Sequence, residues 1–140
     1  MIQAAVMAAP REPIQVEAYP EPVLEPGAIF LETIYSEVCG TDVHLHQGHL
    51  AGVPYPIIPG HVSVGRIVSL GGKVEDVEGR APREGDMATF LNVHETCGKC
   101  WFCLIAKAST HAVRTGESMA SPIRQGTGYW GGWSERCVWP

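Results

Sequence analysis

Hydrophobic and polar positions alternate along most of this chain, in short stretches. "QAAVMAA" and "IQVEAY" carry the alternation on either side of "PREP", which predicts a strand, a turn and a strand. After "PEPVLEPG", the longer run "AIFLETIYSEV" predicts a half-buried strand. "CGTDVHLHQG" is polar and short, and predicts no more than one helical turn. "VPYPIIPG" is held extended by its prolines and leads into "HVSVGRIVSL", a strand with β-branched residues. "EGRAPREGD" predicts a turn before the strand "MATFL", and "GGWSERCVW" predicts a last strand. No helix of ordinary length and no internal repeat is predicted. Nor does any strand run into G-x-G-x-x-G and a helical pattern, so the chain carries no dinucleotide-binding unit.

Composition narrows the picture. With 140 residues the chain is about one domain, long enough to bury a core without staples. Ten Lys and Arg against fifteen Asp and Glu leave a net charge of −5 and no basic run, which argues against nucleic acid or an acidic membrane surface as partner. Sixteen Gly and eleven Pro beside 45% hydrophobic residues suit a turn-rich, mainly β protein rather than a disordered one. "MIQAAVMAAP" has neither the charged start of a signal peptide nor the length of a membrane span, and the expected location is the cytoplasm. Five cysteines, three of them within seven residues, suit a reducing compartment and metal better than disulfides.

Those three are Cys97, Cys100 and Cys103, a C-x2-C-x2-C cluster with Gly98 in its first turn. Such a cluster can set three thiolates around one tetrahedral ion, and soft sulfur selects zinc or an iron–sulfur cluster. His111, at the far end of this knuckle (residues 95–111), can complete a Cys3His structural zinc site; the alternative is three reduced thiols without metal. Residues 112–128 show neither strand nor helix periodicity and are long for a loop inside a compact domain.

A second constellation lies upstream: Cys39, Thr41, Asp42, His44 and then His61. Alone, Cys39 and His61 say little. Within "EVCGTDVHLHQGHLAGVPYPIIPGHVSVGRIVSLG", followed by "EGDMATF", "CGKCWFC" and "GGWSE", they say more. The whole run resembles the zinc-dependent medium-chain alcohol dehydrogenases, over about residues 1–110 and again at 131–135. The part resembled is their N-terminal catalytic domain, a GroES-like partly open β-barrel with short helical turns.

The resemblance implies a catalytic zinc held by Cys39 as thiolate and His61 through a ring nitrogen. It implies Thr41 as the group that takes the alcohol's proton, His44 as the residue passing it to solvent, and Asp42 as the partner fixing the His61 tautomer. Helix capping is the competing reading for Thr41 and Asp42. His46 and His49 read as solvated loop histidines, and Cys137 as a buried strand thiol. The implied reaction is hydride transfer from a small alcohol to NAD or NADP, giving an aldehyde or ketone. Its partners are a separate nucleotide-binding domain or further copies of the chain.

Departures from the family pattern bear on activity. Val62 stands where the family usually has Glu after the zinc-ligand histidine. The family's third ligand to that zinc, its nucleotide-binding domain and its C-terminal return all come from sequence beyond residue 140. The chain is therefore read as the zinc- and substrate-binding catalytic domain of such an enzyme, expected to be inactive by itself; the alternatives are a zinc-binding module without catalysis and a truncated or frameshifted remnant.

Residues 111–130 also admit a reading in a shifted frame. Among the codon choices the degenerate code allows for Val113 to Pro122, the string TGTCCGCACCGGCGAGTCTATGGCATCACC, read from its second base, encodes C-P-H-R-R-V-Y-G-I-T when read from its first. Many such dehydrogenases carry a stretch like the second one after their third knuckle cysteine. On that reading His111 is an accident and the fourth thiol is lost.

Overall fold

The computed structural model describes residues 1–53, 55–76, 78–89, 101, 105 and 131–139. The knuckle residues Cys97, Cys100, Cys103 and His111, and the segment 111–130, lie outside them. In chain order the elements are β1 (Ile2–Val6), β2 (Gln15–Tyr19), β3 (Ile29–Ser36), α1 (Gly40–Gln47), β4 (Ser63–Leu70), β5 (Met87–Thr89) and β6 (Arg136–Trp139). The described strands fall on runs singled out in the sequence, β1 to β3 by alternation and β4 by its β-branched residues.

β1 and β2 form an antiparallel ribbon, with Ile2 opposite Tyr19 and Val6 opposite Gln15. The second sheet has the order β5-β4-β3-β6, antiparallel throughout. One length of chain joins the two. The Ala5 N–H donates to the Trp133 carbonyl at 2.7 Å and the Glu135 N–H to the Gln3 carbonyl at 2.9 Å; from Arg136 the same chain pairs with β3. A strand that leaves the edge of one sheet and enters the next turns a corner, which curls two sheets into a partly open barrel. At the other end of β1, Met7 and Ile57 exchange backbone hydrogen bonds of 2.9 and 3.1 Å.

Period two is visible where a strand has a core on one face only. In β4, Ser63, Gly65 and Ile67 are buried while Val64, Arg66 and Val68 face out. In β3 the alternation fails, with Phe30 and Leu31 buried in succession, because register shifts fall between Phe30 and Leu31 and between Thr33 and Tyr35. In β2, Gln15 to Ala18 are all exposed, and among the described strands β2 pairs with β1 alone.

α1 corrects the sequence expectation of a single turn. Its eight residues make about two turns. Apolar periodicity could not reveal it, because what holds it is at its ends and beneath it. Cys39 is the N-cap and Gly48, at φ 72°, the left-handed C-cap residue. Leu45 packs on Met7 and Ile57, and the Tyr55 hydroxyl donates to the Leu45 carbonyl at 2.6 Å. Leu45→Ala should cost about 2–4 kcal/mol of unfolding free energy, read as a lower urea midpoint with unchanged slope.

Cys137 is the buried strand thiol expected, 2% exposed in β6, with the Thr33 hydroxyl 3.9 Å from its sulfur. Burial pushes its pKa up from 9.0 to about 11. The folded state thus binds this proton more tightly than the unfolded one. The stabilisation is complete below pH 9 and is lost as pH rises towards about 11. Compared with Cys137→Ala, the native chain should lose up to about 2–3 kcal/mol more between those limits, measured by urea unfolding at paired pH values.

Candidate metal centre

The site is built where β3 and β4 part. Ser36 and Ser63 form the last rung, their hydroxyls 2.8 Å apart. One residue further, the Glu37 N–H donates to the Val62 carbonyl at 2.9 Å. Beyond that bond the chains separate, with Cys39 on one side entering α1 and His61 on the other.

The segment that brings in His61 is clamped by the run before β6. The Gly132 N–H donates to the Gly60 carbonyl at 2.8 Å and the Trp133 N–H to the Pro59 carbonyl at 3.1 Å. The Trp133 indole N–H reaches the Glu37 carbonyl at 3.2 Å, so one tryptophan ties both arms of the site. Gly60 sits at φ 96°, and a Cβ there would lie 2.5 Å from Trp133 Cδ1. Backbone conformation and space both require glycine.

Cys39 Sγ and His61 Nε2 are 3.4 Å apart. A thiolate and an imidazole on one tetrahedral ion, at about 2.3 and 2.0–2.1 Å, stand about 3.5 Å from each other. Asp42 lies beneath them, 2% exposed. Its Oδ2 accepts the Cys39 N–H at 2.9 Å, while Cys39 Sγ accepts the Thr41 N–H at 3.3 Å, a reciprocal capping box with sulfur as one partner. The other oxygen, Oδ1, is buried, has no hydrogen-bond partner among the described residues and faces His61 Nδ1 at 3.8 Å. A buried carboxylate oxygen is costly to leave unpaired. A small approach of the ring would let a protonated Nδ1 donate to it, leaving the Nε2 lone pair directed at the thiol side. One donor atom each from Cys39, Asp42 and His61 falls within 4.8 Å of the others. Sulfur, imidazole and carboxylate together fit a borderline ion such as zinc.

The structure therefore brings together Cys39, Asp42 and His61 of the predicted residues. Asp42 caps α1 and faces His61 at once, so the two readings of it are compatible; Thr41 enters the cap through its N–H. His44 is exposed on the last turn of α1. Of the two histidines read as solvated loop residues, His49 is exposed outside α1 as expected, while the reading of His46 is corrected. His46 is part of α1, with Nε2 3.1 Å from the Glu12 carbonyl oxygen, and His49 Nδ1 lies 3.3 Å from His44 Nδ1. Val62 is exposed beside His61, its carbonyl occupied by Glu37. Sequence reasoning assigned no role to Gly60, Trp133 or Glu37; "PGH" and "GGWSE" were the signals available.

A family profile for the alcohol dehydrogenase GroES-like domain matches residues 25–140. The chain belongs to that family. Among relatives, it is 35% identical over 106 residues to 5-exo-hydroxycamphor dehydrogenase of Pseudomonas putida, a match covering 74% of this chain and 28% of that protein. It is 28% identical over 142 residues to an alcohol dehydrogenase of Geobacillus stearothermophilus, covering 99% of this chain and 38% of the other. A crystal structure of an alcohol dehydrogenase from Thermotoga maritima superposes with a TM-score of 0.84 at 27% identity, over 98% of this chain and 38% of that one. The chain thus spans about a third of the length of these relatives. Its mainly β architecture, with open sheets and a short helix, is the GroES-like partial barrel of alcohol-dehydrogenase-type oxidoreductases. No described helix is long and apolar enough to cross a membrane.

Proposed function

We propose that residues 1–140 supply the metal- and substrate-binding part of a zinc-dependent, NAD(P)-linked alcohol dehydrogenase. The observation that carries this reading is the 3.4 Å approach of Cys39 Sγ to His61 Nε2 over a buried Asp42 oxygen that has no partner among the described residues. Cys39 and His61 would hold zinc, which when bound supplies Lewis-acid polarisation of an alcohol oxygen. Asp42 would orient His61 by accepting from Nδ1. The Thr41 hydroxyl, two residues from Cys39 at the helix start, would accept the substrate's proton. His44, one turn on and exposed, would carry it to water. Nicotinamide binding would come from outside these residues, as would the remaining protein ligand.

Joining residues 1–140 to the remainder of the Thermotoga maritima enzyme tests the reading. The chimera should reduce NAD or NADP with small primary or secondary alcohols, and Thr41→Val should lower kcat by about 10²-fold or more. A second reading, a zinc-binding module without turnover, is favoured by Val62 standing where the family usually has a carboxylate. A chimera that binds zinc and nicotinamide but does not turn over would establish that reading and sink the first.

A further inference from the structure

α1 ends in a turn that holds two imidazoles together, apart from the Cys39–His61 pair. Gly48 is the left-handed residue after the helix; its N–H donates to the Leu45 carbonyl at 3.0 Å, and the next N–H, that of His49, donates to the His44 carbonyl at 2.9 Å. These are the two bonds of a Schellman turn, and they fix the backbone of His49 against that of His44. An apolar contact frequently links those two positions. Here both are histidine. Their Nδ1 atoms are 3.3 Å apart, with ring centroids 5.6 Å apart and planes inclined by 44°, so the rings meet through their nitrogens instead of stacking. Both residues are exposed. In the neutral pair one Nδ1 carries the proton of this contact and the other offers its lone pair.

We propose that His44 and His49 form a surface chelate for a divalent cation of the zinc, nickel or copper class, bound through both Nδ1 atoms and completed by water. Imidazole nitrogen suits these ions. Two nitrogens bound at about 2.0–2.1 Å to a tetrahedral ion stand about 3.3–3.4 Å apart, the separation found here. The cation replaces the shared proton: the donating ring moves its hydrogen to its own Nε2, so the neutral pair releases no net proton. Because the turn already holds both backbones, binding has only side-chain rotors left to order. His46 is not part of the chelate, since its Nε2 faces the Glu12 carbonyl. Occupancy would also withdraw His44 from the proton path proposed above; that consequence rests on the dehydrogenase reading, and the cation site does not.

The test is a Ni²⁺ titration of the zinc-loaded 140-residue chain, dialysed free of excess metal and followed by NMR of the histidine rings. Paramagnetic broadening should begin at His44 and His49. His44→Ala and His49→Ala should each weaken Ni²⁺ binding by at least about tenfold, because a direct ligand counts for no less than the outer partners of a metal site. His46→Ala should bind like the unaltered chain. Unchanged affinity in His49→Ala overturns the proposal and leaves a hydrogen-bonded pair only; broadening that begins at another histidine overturns it equally. Cys39→Ser, which removes a ligand of the other site, should leave the Ni²⁺ affinity as it was, so loss of one site is not mistaken for loss of the other.

Discussion

In the chimera with the remainder of the Thermotoga maritima enzyme, which supplies the remaining ligand, Cys39→Ser should leave about one zinc per molecule fewer than the unaltered chimera, measured by atomic emission after dialysis. Serine has nearly the shape of cysteine but is a hard, un-ionised donor near neutral pH, and zinc held by thiolate and imidazole depends on the soft ligand. The cap should survive, because a serine hydroxyl accepts the Thr41 N–H as well as sulfur does. Folding and metal binding thus come apart in this variant. A second substitution separates them further. Asp42→Asn retains an oxygen for the Cys39 N–H and loses the charge facing His61 Nδ1, so zinc affinity should fall about 10–100-fold with α1 intact. If Cys39→Ser retains its full complement of zinc, the assignment of Cys39 and His61 as ligands fails.

Gly131→Ala should be among the most destabilising single substitutions in this chain. A Cβ at residue 131 would lie 2.0 Å from the Ile58 carbonyl oxygen and 2.3 Å from that of Pro59. Both obstacles are backbone, which cannot swing aside as a side chain can. The cost should be about 3 kcal/mol or more, or roughly a 10 °C fall in melting temperature by calorimetry. The obstructed carbonyls belong to the segment that ends in His61, so the damage should reach the site. Zinc affinity in the folded fraction should fall as well. A variant that melts like the native chain would show that the 131–133 clamp is not what positions His61.

The same contact explains why the role of "GGW" could not be read from the chain. Gly131 and Gly132 are far from Pro59 and Gly60 in sequence, and nothing local in either stretch demands glycine. The demand arises when one backbone lies against the other. Gly60 differs only in part: its positive φ is local, but its crowding by Trp133 is not. Asp42 is a similar case. As a residue of "CGTD" it reads as a cap or as a histidine partner, and choosing between them needs its position relative to His61. The fold makes it both, one oxygen for each.

What the sequence determined by itself is the set of strands and the chemical kind of the site. Alternation is a property of neighbours along one chain, so β1, β2 and β3 could be read from it, as could the break at each proline-rich turn. Cys39 in "CGTD" and His61 in "PGH" say little alone; it is the resemblance of the whole run to the zinc-dependent dehydrogenases that implies their metal. Tertiary structure decided the rest. The bulges of β3 and the bare face of β2 depend on the surfaces each strand packs against. The second turn of α1 exists because Leu45 finds Met7 and Ile57, and because Cys39 and Gly48 close its ends. The 3.4 Å between Cys39 and His61 spans twenty-two positions of chain, and the β3–β4 pairing together with the Trp133 clamp sets it. The His44–His49 pair was hidden for a related reason. Five residues apart, they meet only because the backbone reverses through a left-handed glycine.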